Sequence, residues 1–256
     1  MLGGMTTFAR RLYHRNRAAR MLLAPPVATR RALLNWQAHR LKEAGDRLAS
    51  MICEDVVIDV PEFGGRFRCA PESHLFRRLI LDGFYEPDLA RIFQKYIDPD
   101  RDVIDVGANI GFYTVMSAQR LDKGRVLAIE PAGGAHARLI DNIERNGVAG
   151  KVVLFKGLAS DKAEEVAFNQ INGMEEYSSI GTIIHTSAEG AKVSESTALA
   201  CPIDELVTRY GLAPAAIKID IEGAEAIALR GATETLRKFR PVVLSELSPR
   251  LLAGLG

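Results

Sequence analysis

The feature that most constrains the fold is a short, mainly apolar segment that runs straight into a glycine-punctuated turn. Residues 103–106 (VIDV) lead into the glycine turn, residues 107–111 (GANIG), and a helical pattern begins directly after it. A strand, a glycine turn and a helix in this order bring backbone amides and a helix N-terminus close to a ligand. The segment therefore predicts the first strand of an α/β sheet, with a nucleoside-containing ligand at its end.

Strands and helices alternate through the chain after this point. We predict strands at 103–106, 126–129, 152–155, 217–219 and 242–247, and helices at 111–121, 135–146, 203–210 and 224–238. Short apolar strands separated by amphipathic helices are typical of a mostly parallel sheet covered on both faces, and right-handed crossovers make it doubly wound. The polar stretch from 160 to 202 interrupts the alternation, with strands near 166–168 and 197–200. This stretch is either a loop that binds the substrate or a β-structured surface insertion without a binding role.

Three regions are expected along the chain. Residues 101–256 form the ligand-binding α/β domain, and residues 51–100 form a hairpin and two helices that pack on it. The hairpin is predicted at 56–60 and 66–70, on either side of a turn with proline and glycine, and the helices at 74–81 and 87–97. Residues 1–50 form a basic N-terminal segment that is helical or partly disordered.

The charge distribution sets the N-terminal segment apart. Residues 1–42 contain nine Lys or Arg residues and no acidic residue, whereas residues 43–256 carry the other 24 basic and all 32 acidic residues. Such a segment suits an anionic membrane surface, nucleic acid, an acidic partner or an organelle transit signal, and is otherwise a partly disordered or loosely docked N-terminus without a specific partner. No apolar run approaches the ~20 residues that span a bilayer. We expect a cytoplasmic protein, at most peripheral at the membrane through residues 1–42, with no specific nucleic-acid partner.

The glycine turn favours one cofactor. Its spacing differs from the G-x-G-x-x-G of dinucleotide sites, since Asn109 stands in its middle. Gly107 permits a tight turn with positive φ, and Gly111 lets the helix begin close to the strand. S-adenosylmethionine (SAM) has no phosphate but offers an ammonium and a carboxylate, which suit the Asp105 carboxylate and the turn's amides. SAM is therefore the favoured ligand, although the turn alone leaves other nucleotide sites open.

Polar residues after the next two strands extend the predicted cofactor site. Glu130 ends the second strand, 19 positions after Gly111, where a carboxylate accepts hydrogen bonds from ribose hydroxyls in SAM and NAD sites alike. Ser160 and Asp161 follow the third strand, and Asp161 is placed to accept from the adenine amine. The alternative for Glu130 is an exposed residue that merely ends a strand. The alternative for Ser160 and Asp161 is a pair that forms a turn.

The fourth strand carries the predicted reacting groups. In residues 216–225 (AIKIDIEGAE), alternation puts Lys218, Asp220 and Glu222 on one side of the strand and the isoleucines on the other. Burying such charges for stability alone is costly, so we expect a functional cluster beside the cofactor strand. A structural ion-pair cluster is the alternative. A divalent metal at Asp220 and Glu222 lacks an evident third ligand, so no metal site is predicted.

These residues resemble a known family. Residues 105–111 (DVGANIG) together with 218–225 (KIDIEGAE) are similar to motifs of the FkbM family of SAM-dependent methyltransferases. Residues 85–87 (YEP), 201–206 (CPIDEL) and 241–246 (PVVLSE) are similar too, and the likeness extends over about residues 52–250. The resemblance implies a Rossmann-like class I methyltransferase domain. It also implies methyl transfer to a hydroxyl of a sugar, a lipid-linked glycan or a polyketide-type acceptor.

The resemblance implies roles for individual residues. It places at the cofactor Glu86, Asp105, Gly107, Asn109, Gly111, Glu130 and Asp161, and at the reacting centre Lys218, Asp220 and Glu222. We expect direct transfer in which Asp220 or Glu222 takes the acceptor's proton while Lys218 orients that carboxylate or holds the acceptor. His185 is a second candidate base. Two alternative functions are a nicotinamide-dependent oxidoreductase, whose glycine spacing is missing, and a non-catalytic binding module.

The end of the sheet departs from the family pattern. Methyltransferases of this fold usually finish with two further strands, whereas about ten residues follow Glu246 here. We therefore expect a sheet without the final pair, in which residues 242–244 form an exposed apolar edge. Self-association at this fifth-strand edge is the expected consequence.

Overall fold

A computed structural model describes residues 51–52, 54–171, 193–221 and 223–245. The strands are β1 (Val56–Val60), β2 (Gly65–Cys69), β3 (Asp102–Val106), β4 (Val126–Ile129), β5 (Val152–Phe155), β6 (Leu158–Ser160), β7 (Glu164–Ile171), β8 (Val193–Pro202), β9 (Pro214–Ile219) and β10 (Val242–Ser245). The helices are α1 (His74–Asp82), α2 (Pro87–Gln94), α3 (Phe112–Ala118), α4 (Gly133–Arg145), α5 (Ile203–Tyr210), α6 (Glu225–Arg230) and α7 (Thr233–Phe239). Short 3-10 turns cover Pro61–Phe63 and Ala149–Lys151.

The central sheet has five strands in the order β10-β9-β3-β4-β5, and each neighbouring pair is parallel. Successive side chains of a strand point into two different cores. Val103 and Ala216 pack with residues of α3 and α4, whereas Ile104 and Ile217 pack with residues of α5 and α6. Strands buried on both faces are nearly continuous apolar runs, which is why the sequence pattern located them. The predicted doubly wound α/β fold is confirmed.

The N-terminal hairpin packs on the helix that follows the glycine turn. β1 and β2 pair antiparallel along their whole length. The ring of Phe112, at the start of α3, stacks on Phe63 with 4.8 Å between centroids and meets Phe67 edge-on at 4.5 Å. The hairpin therefore fixes the first turn of α3. The predicted hairpin and both predicted helices are present, although α2 ends at Gln94 rather than at residue 97.

A second sheet interrupts the alternation of strands and helices. β8 pairs with β6 in parallel and with β7 antiparallel. The strands predicted at 166–168 and 197–200 are therefore parts of longer ones, of eight and ten residues. The sequence underestimated them because Glu, Ser and Asn residues occupy much of their length. Residues 172–192 include His185 and most of the predicted substrate loop, and they lie outside the described residues.

The helix predicted at 224–238 is in fact two helices, α6 and α7. Between them Gly231 approaches β6 so closely that a Cβ would lie 1.9 Å from the Ser160 carbonyl oxygen. The Asp204 carboxylate accepts hydrogen bonds from two backbone N–H groups in the first turn of α7, at 2.9 and 2.7 Å, and so caps that helix. The prediction of one helix was wrong because the spacing of apolar residues does not reveal where one helix ends and the next begins. Here the start of α7 is capped by Asp204, which is distant in sequence.

No helix in the part of the chain that the structure describes is both long and apolar enough to cross a bilayer. Residues 1–50 lie outside that part, so membrane contact through residues 1–42 stays a prediction. So does the division of the chain into three regions. β10 is an edge strand of the described central sheet, and self-association through it is a prediction as well.

Candidate active site

The carboxyl ends of β3 and β9 lie side by side in the central sheet. The parallel register sets Asp105 opposite Lys218, and the Asp220 N–H donates to the Val106 carbonyl at 3.0 Å. Gly107 follows directly, and a Cβ there would lie 2.0 Å from the Asp220 carbonyl oxygen. The two strand ends therefore abut, and only glycine fits between them. The charged residues and the glycine turn meet at one edge of the sheet.

Asp105 and Lys218 are buried charges that support each other. Asp105 is 1% exposed, and its Oδ2 accepts a hydrogen bond from Thr114 Oγ1 at 2.6 Å. Burial raises the pKa of the Asp105 carboxyl, and the Lys218 ammonium offsets part of that rise. Burial alone would lower the pKa of Lys218, but the carboxylates of Asp220, Asp105 and Glu86 outweigh burial and raise that pKa. Lys218 therefore stays a cation at neutral pH.

Lys218 pairs with Asp220 at the edge of this buried cluster. Lys218 Nζ lies 3.0 Å from Asp220 Oδ2, and the two side chains are 8% and 40% exposed. The same ammonium lies 4.5 Å from the centre of the Tyr113 ring. One oxygen of the Asp220 carboxylate is thus tied to the protein, while the side chain still reaches solvent. The structure brings Lys218 and Asp220 together beside Asp105, as strand alternation predicts.

The glycine turn is held in an uncommon backbone conformation. Gly107, Asn109 and Gly111 all have positive φ, at 75°, 49° and 96°. Gly111 suits its position because a φ of 96° favours glycine, and a Cβ there would lie 2.6 Å from Leu139 Cδ1. Four backbone N–H groups of the turn donate within the protein, those of Gly107, Ala108, Asn109 and Gly111. These four N–H groups already have acceptors within the protein, and the expectation that the turn's amides hold the SAM carboxylate stays a prediction.

Glu130 links the end of β4 to the glycine turn. Its Oε2 accepts from the Asn109 N–H and its Oε1 from the Ala132 N–H, both at 2.8 Å. The alternative of an exposed strand end is wrong, because Glu130 is buried. A carboxylate oxygen can accept more than one hydrogen bond. Acceptance from ribose hydroxyls is therefore compatible with the bonds that Glu130 already makes.

Among the described residues of this cluster, Asp105 presents a buried acceptor without a protein donor. Asp105 Oδ1 is buried and has no hydrogen-bond partner within the described ranges. Such an acceptor is costly unless a ligand or water satisfies it. An ammonium group matches it well, because a cation donates to the carboxylate and also compensates its charge. The residues present therefore fit the amino-acid end of SAM at Asp105 and its ribose at Glu130.

Glu86 reaches the same cluster through Tyr113. The Tyr113 hydroxyl donates to Glu86 Oε2 at 3.3 Å, and burial, with the Glu86 charge next in effect, raises the pKa of Tyr113. Glu86 has φ 44° directly before a proline, a conformation that is rare outside glycine and concentrates at functional sites. Sequence reasoning missed Tyr113 and Thr114. Their position in the first helical turn after Gly111, facing the sheet, was the signal that could have found them.

Ser160 and Asp161 lie beside α6. Ser160 is buried at the end of β6, and Asp161 Oδ2 accepts from Arg230 Nε at 3.1 Å. The predicted contact of these residues with adenine stays a prediction. Glu222 lies outside the described residues, and its role stays a prediction too. Within those residues, no group of three His, Cys, Asp or Glu side chains forms a potential metal site.

A model of the FkbM methyltransferase domain matches residues 105–251, which include the β3 and β9 strand ends. The chain belongs to this family. The resemblance drawn from the glycine turn and the KIDIEGAE segment is thereby confirmed, and the protein is a methyltransferase whose cofactor is SAM. The nicotinamide alternative finds no support in this match.

Two curated methyltransferases are similar in sequence to parts of this chain. The hexuronic acid methyltransferase AglP of Haloferax volcanii is 24% identical over 193 residues, which are 74% of this chain and 73% of AglP. The ribosomal protein L11 methyltransferase of Pelotomaculum thermopropionicum is 42% identical over 74 residues, 29% of this chain and 24% of that protein. Two solved structures are similar over part of this chain. M. jannaschii TYW2 in complex with AdoMet has 21% identity and a TM-score of 0.31, over 40% of this chain and 42% of its own. aTrm5 with tRNALeu has 20% identity and a TM-score of 0.32, over 39% and 27%.

Proposed function

We propose that the protein transfers the methyl group of SAM to a hydroxyl of a carbohydrate acceptor. The observation that carries this proposal is the Lys218–Asp220 pair beside Asp105, which sets a solvent-reaching carboxylate next to the expected position of the cofactor's ammonium end. The similarity to AglP, a hexuronic acid methyltransferase, supports a sugar-type acceptor. A hydroxyl is the acceptor group that such a carboxylate suits, because an alcohol is a weak nucleophile and needs a base.

The chain's residues act mainly by alignment and by accepting one proton. SAM supplies an electrophilic methyl carbon on a positively charged sulfur. Asp105 and Glu130 would hold the cofactor, its methyl group would pass to the acceptor oxygen with S-adenosylhomocysteine as the leaving group, and Asp220 would take the hydroxyl proton. The products are a methyl ether, S-adenosylhomocysteine and a protonated Asp220. Holding the two reactants in line contributes about 7–11 kcal/mol to lowering the barrier.

Lys218 is the positioning group for this base. Its ammonium holds Asp220 Oδ2 at 3.0 Å, which leaves Oδ1 to take the proton. Lys218 is a cation while Asp220 is ionised, because the carboxylates of Asp220, Asp105 and Glu86 raise the pKa of Lys218. Glu222 follows two positions later and is the second candidate base. Comparison of Asp220→Asn with Glu222→Gln decides between them, since the base is the residue whose substitution costs more of kcat.

The acceptor can be tested directly. Purified protein is incubated with SAM and oligosaccharides that contain or lack a uronic acid, and S-adenosylhomocysteine and methylated product are measured. We expect a methylated sugar whose methyl group survives mild alkali, as an ether does and a carboxyl ester does not. Asp220→Asn should lower kcat by about 10²–10⁴-fold with S-adenosylhomocysteine affinity retained. Asp141→Asn, which alters a partly exposed carboxylate paired with Arg145, is the matched control and should leave kcat unchanged.

Three results would count against the proposal. An alkali-labile product would mean that a carboxyl group, and not a hydroxyl, is methylated. Intact S-adenosylhomocysteine binding without transfer to any sugar would favour a non-catalytic module or another acceptor class. Full activity in Asp220→Asn would remove Asp220 from the role of base.

A further inference from the structure

Asn142 connects three separate elements through one buried amide. It lies on α4 and is fully buried. Its Nδ2 donates to the Ile110 carbonyl in the glycine turn at 2.8 Å and to the Arg68 carbonyl in β2 at 3.2 Å. Its Oδ1 accepts from the Arg68 N–H at 2.6 Å. The side chain therefore uses both amide hydrogens and its oxygen to join α4, the outer edge of β2 and the glycine turn.

The carbonyl that Asn142 holds belongs to the last peptide of the glycine turn. Ile110 lies between Asn109 and Gly111, which both have positive φ. The other end of the same peptide unit is also held, because the Gly111 N–H donates to the Ala108 carbonyl at 2.8 Å. A peptide plane fixed at both ends cannot rotate. The orientation of this peptide plane sets φ of Gly111, which is 96°, so Asn142 is one of the groups that hold the turn at the residue from which α3 begins.

We propose that Asn142 is a positioning residue for SAM, which acts by holding the glycine turn in its binding conformation and coupling it to the β2 edge. The proposal rests on the cofactor site described above and assigns Asn142 no contact with SAM. The turn's donors are largely used within the protein, so its contribution to SAM is its shape. A group that fixes this shape should therefore affect cofactor affinity without touching the cofactor.

Asn146, the C-cap residue of α4, offers a matched comparison. It recognises β2 in the same manner, since its Oδ1 accepts from the Arg66 N–H at 3.0 Å and its Nδ2 donates to the Arg66 carbonyl at 2.9 Å. Its remaining described bond is to the Asn142 backbone carbonyl and not to the glycine turn. Loss of Asn146 thus removes the docking of α4 on β2 at one point but leaves the Ile110 carbonyl held.

The test compares Asn142→Ala with Asn146→Ala. We expect Asn142→Ala to weaken S-adenosylhomocysteine binding, measured by calorimetry, by about tenfold or more, as expected when a buried acceptor loses its donor. The KM for SAM should rise in parallel while kcat at saturating SAM changes little. Asn146→Ala should leave both binding and KM within about twofold. Equal affinities in both variants, or a fall in kcat with KM unchanged, would overturn the proposal.

A measurement on the unmodified protein keeps the test decisive if Asn142→Ala fails to fold. Amide hydrogen exchange is followed with and without S-adenosylhomocysteine. If Asn142 couples the turn to β2, the ligand should slow exchange of the Arg68 N–H, which donates to Asn142, more than that of the Arg66 N–H, which donates to Asn146. Equal protection at both sites would refute the coupling while leaving methyl transfer intact. Absence of ligand binding would instead contradict the cofactor site itself.

Discussion

Asp105 and Lys218 face each other across the β3–β9 pair. Each is buried, and the charge of each one compensates that of the other. The Asp105 carboxyl has its pKa raised by burial, and the Lys218 ammonium keeps its charge because of Asp220, Asp105 and Glu86. Removal of one partner from a buried pair leaves an uncompensated charge, which is more damaging than the pair is stabilising. This relationship ties stability of the fold to the same residues that are proposed to act in catalysis.

Lys218→Met should therefore lower the free energy of unfolding by about 3 kcal/mol or more at neutral pH. The loss should shrink at mildly acidic pH, because the pKa of Asp105 rises further without Lys218 and protonation removes the uncompensated charge. Urea unfolding at two pH values measures both effects. Lys123→Met, which breaks an exposed pair with Asp100, should change stability by less than about 1 kcal/mol. A loss in Lys218→Met that does not vary with pH would contradict the coupling to Asp105.

Gly107→Ala tests the close approach of the two strand ends. The new methyl group would meet the Asp220 carbonyl oxygen, and the residue would also keep a positive φ. Gly147→Ala is the matched control, since Gly147 has φ +69° but open space around its Cβ position. We expect Gly147→Ala to cost about 1–2 kcal/mol from backbone strain alone, and Gly107→Ala to cost clearly more and to weaken S-adenosylhomocysteine binding. Equal costs in thermal unfolding would mean that the strand ends do not abut as described.

Asp204 belongs to a segment that resembles the family, yet its contacts are structural. Its carboxylate caps α7 through the Glu234 and Thr235 N–H groups. Asp204→Ala should reduce the free energy of unfolding by about 0.5–2 kcal/mol and leave S-adenosylhomocysteine affinity unchanged. Glu205→Ala, one residue further on in an exposed pair with Arg209, should be nearly neutral. Weakened ligand binding in Asp204→Ala without loss of stability would show that the residue has a role at the site.

Cys69 predicts a loss of stability at alkaline pH. Burial raises the pKa of its thiol from 9.0 to about 12. The unfolded chain releases this proton at lower pH than the folded chain, so the stabilisation is complete below about pH 9 and declines as pH rises toward 12, by at most about 1.4 kcal/mol per pH unit. Urea unfolding of the natural protein and of Cys69→Ala at pH about 8 and about 10 should therefore show a narrowing difference between them. A constant difference would contradict the raised pKa.

Much of the fold could be predicted because the inner strands β3, β4 and β9 are buried on both faces and leave a simple apolar signal. The neighbouring positions of Asp105 and Lys218 followed from the order of those strands in a doubly wound sheet. The break between α6 and α7 did not follow, because Asp204 lies 30 positions from the Glu234 amide it caps. Local spacing carries no information about a partner that distant.

The site was predictable where glycines and charges mark it, and not where it uses ordinary core residues. Tyr113 and Thr114 have the pattern of any helix face turned toward a sheet. Asn142 binds the Ile110 carbonyl 32 positions away and Arg68 74 positions away, and a lone asparagine in a helix does not indicate either contact. The roles of such residues can be recognised only from the contacts that they make in the folded chain.

The most direct test of the account is a calorimetric titration of the protein and of Asp105→Asn with S-adenosylhomocysteine. We expect saturable binding to the unmodified protein, and an affinity about tenfold or more lower in the variant, because the amide cannot supply the charge that matches the ligand's ammonium. Absence of heat at millimolar ligand, or equal affinity in both proteins, would contradict a cofactor site built around Asp105 at the ends of β3 and β9.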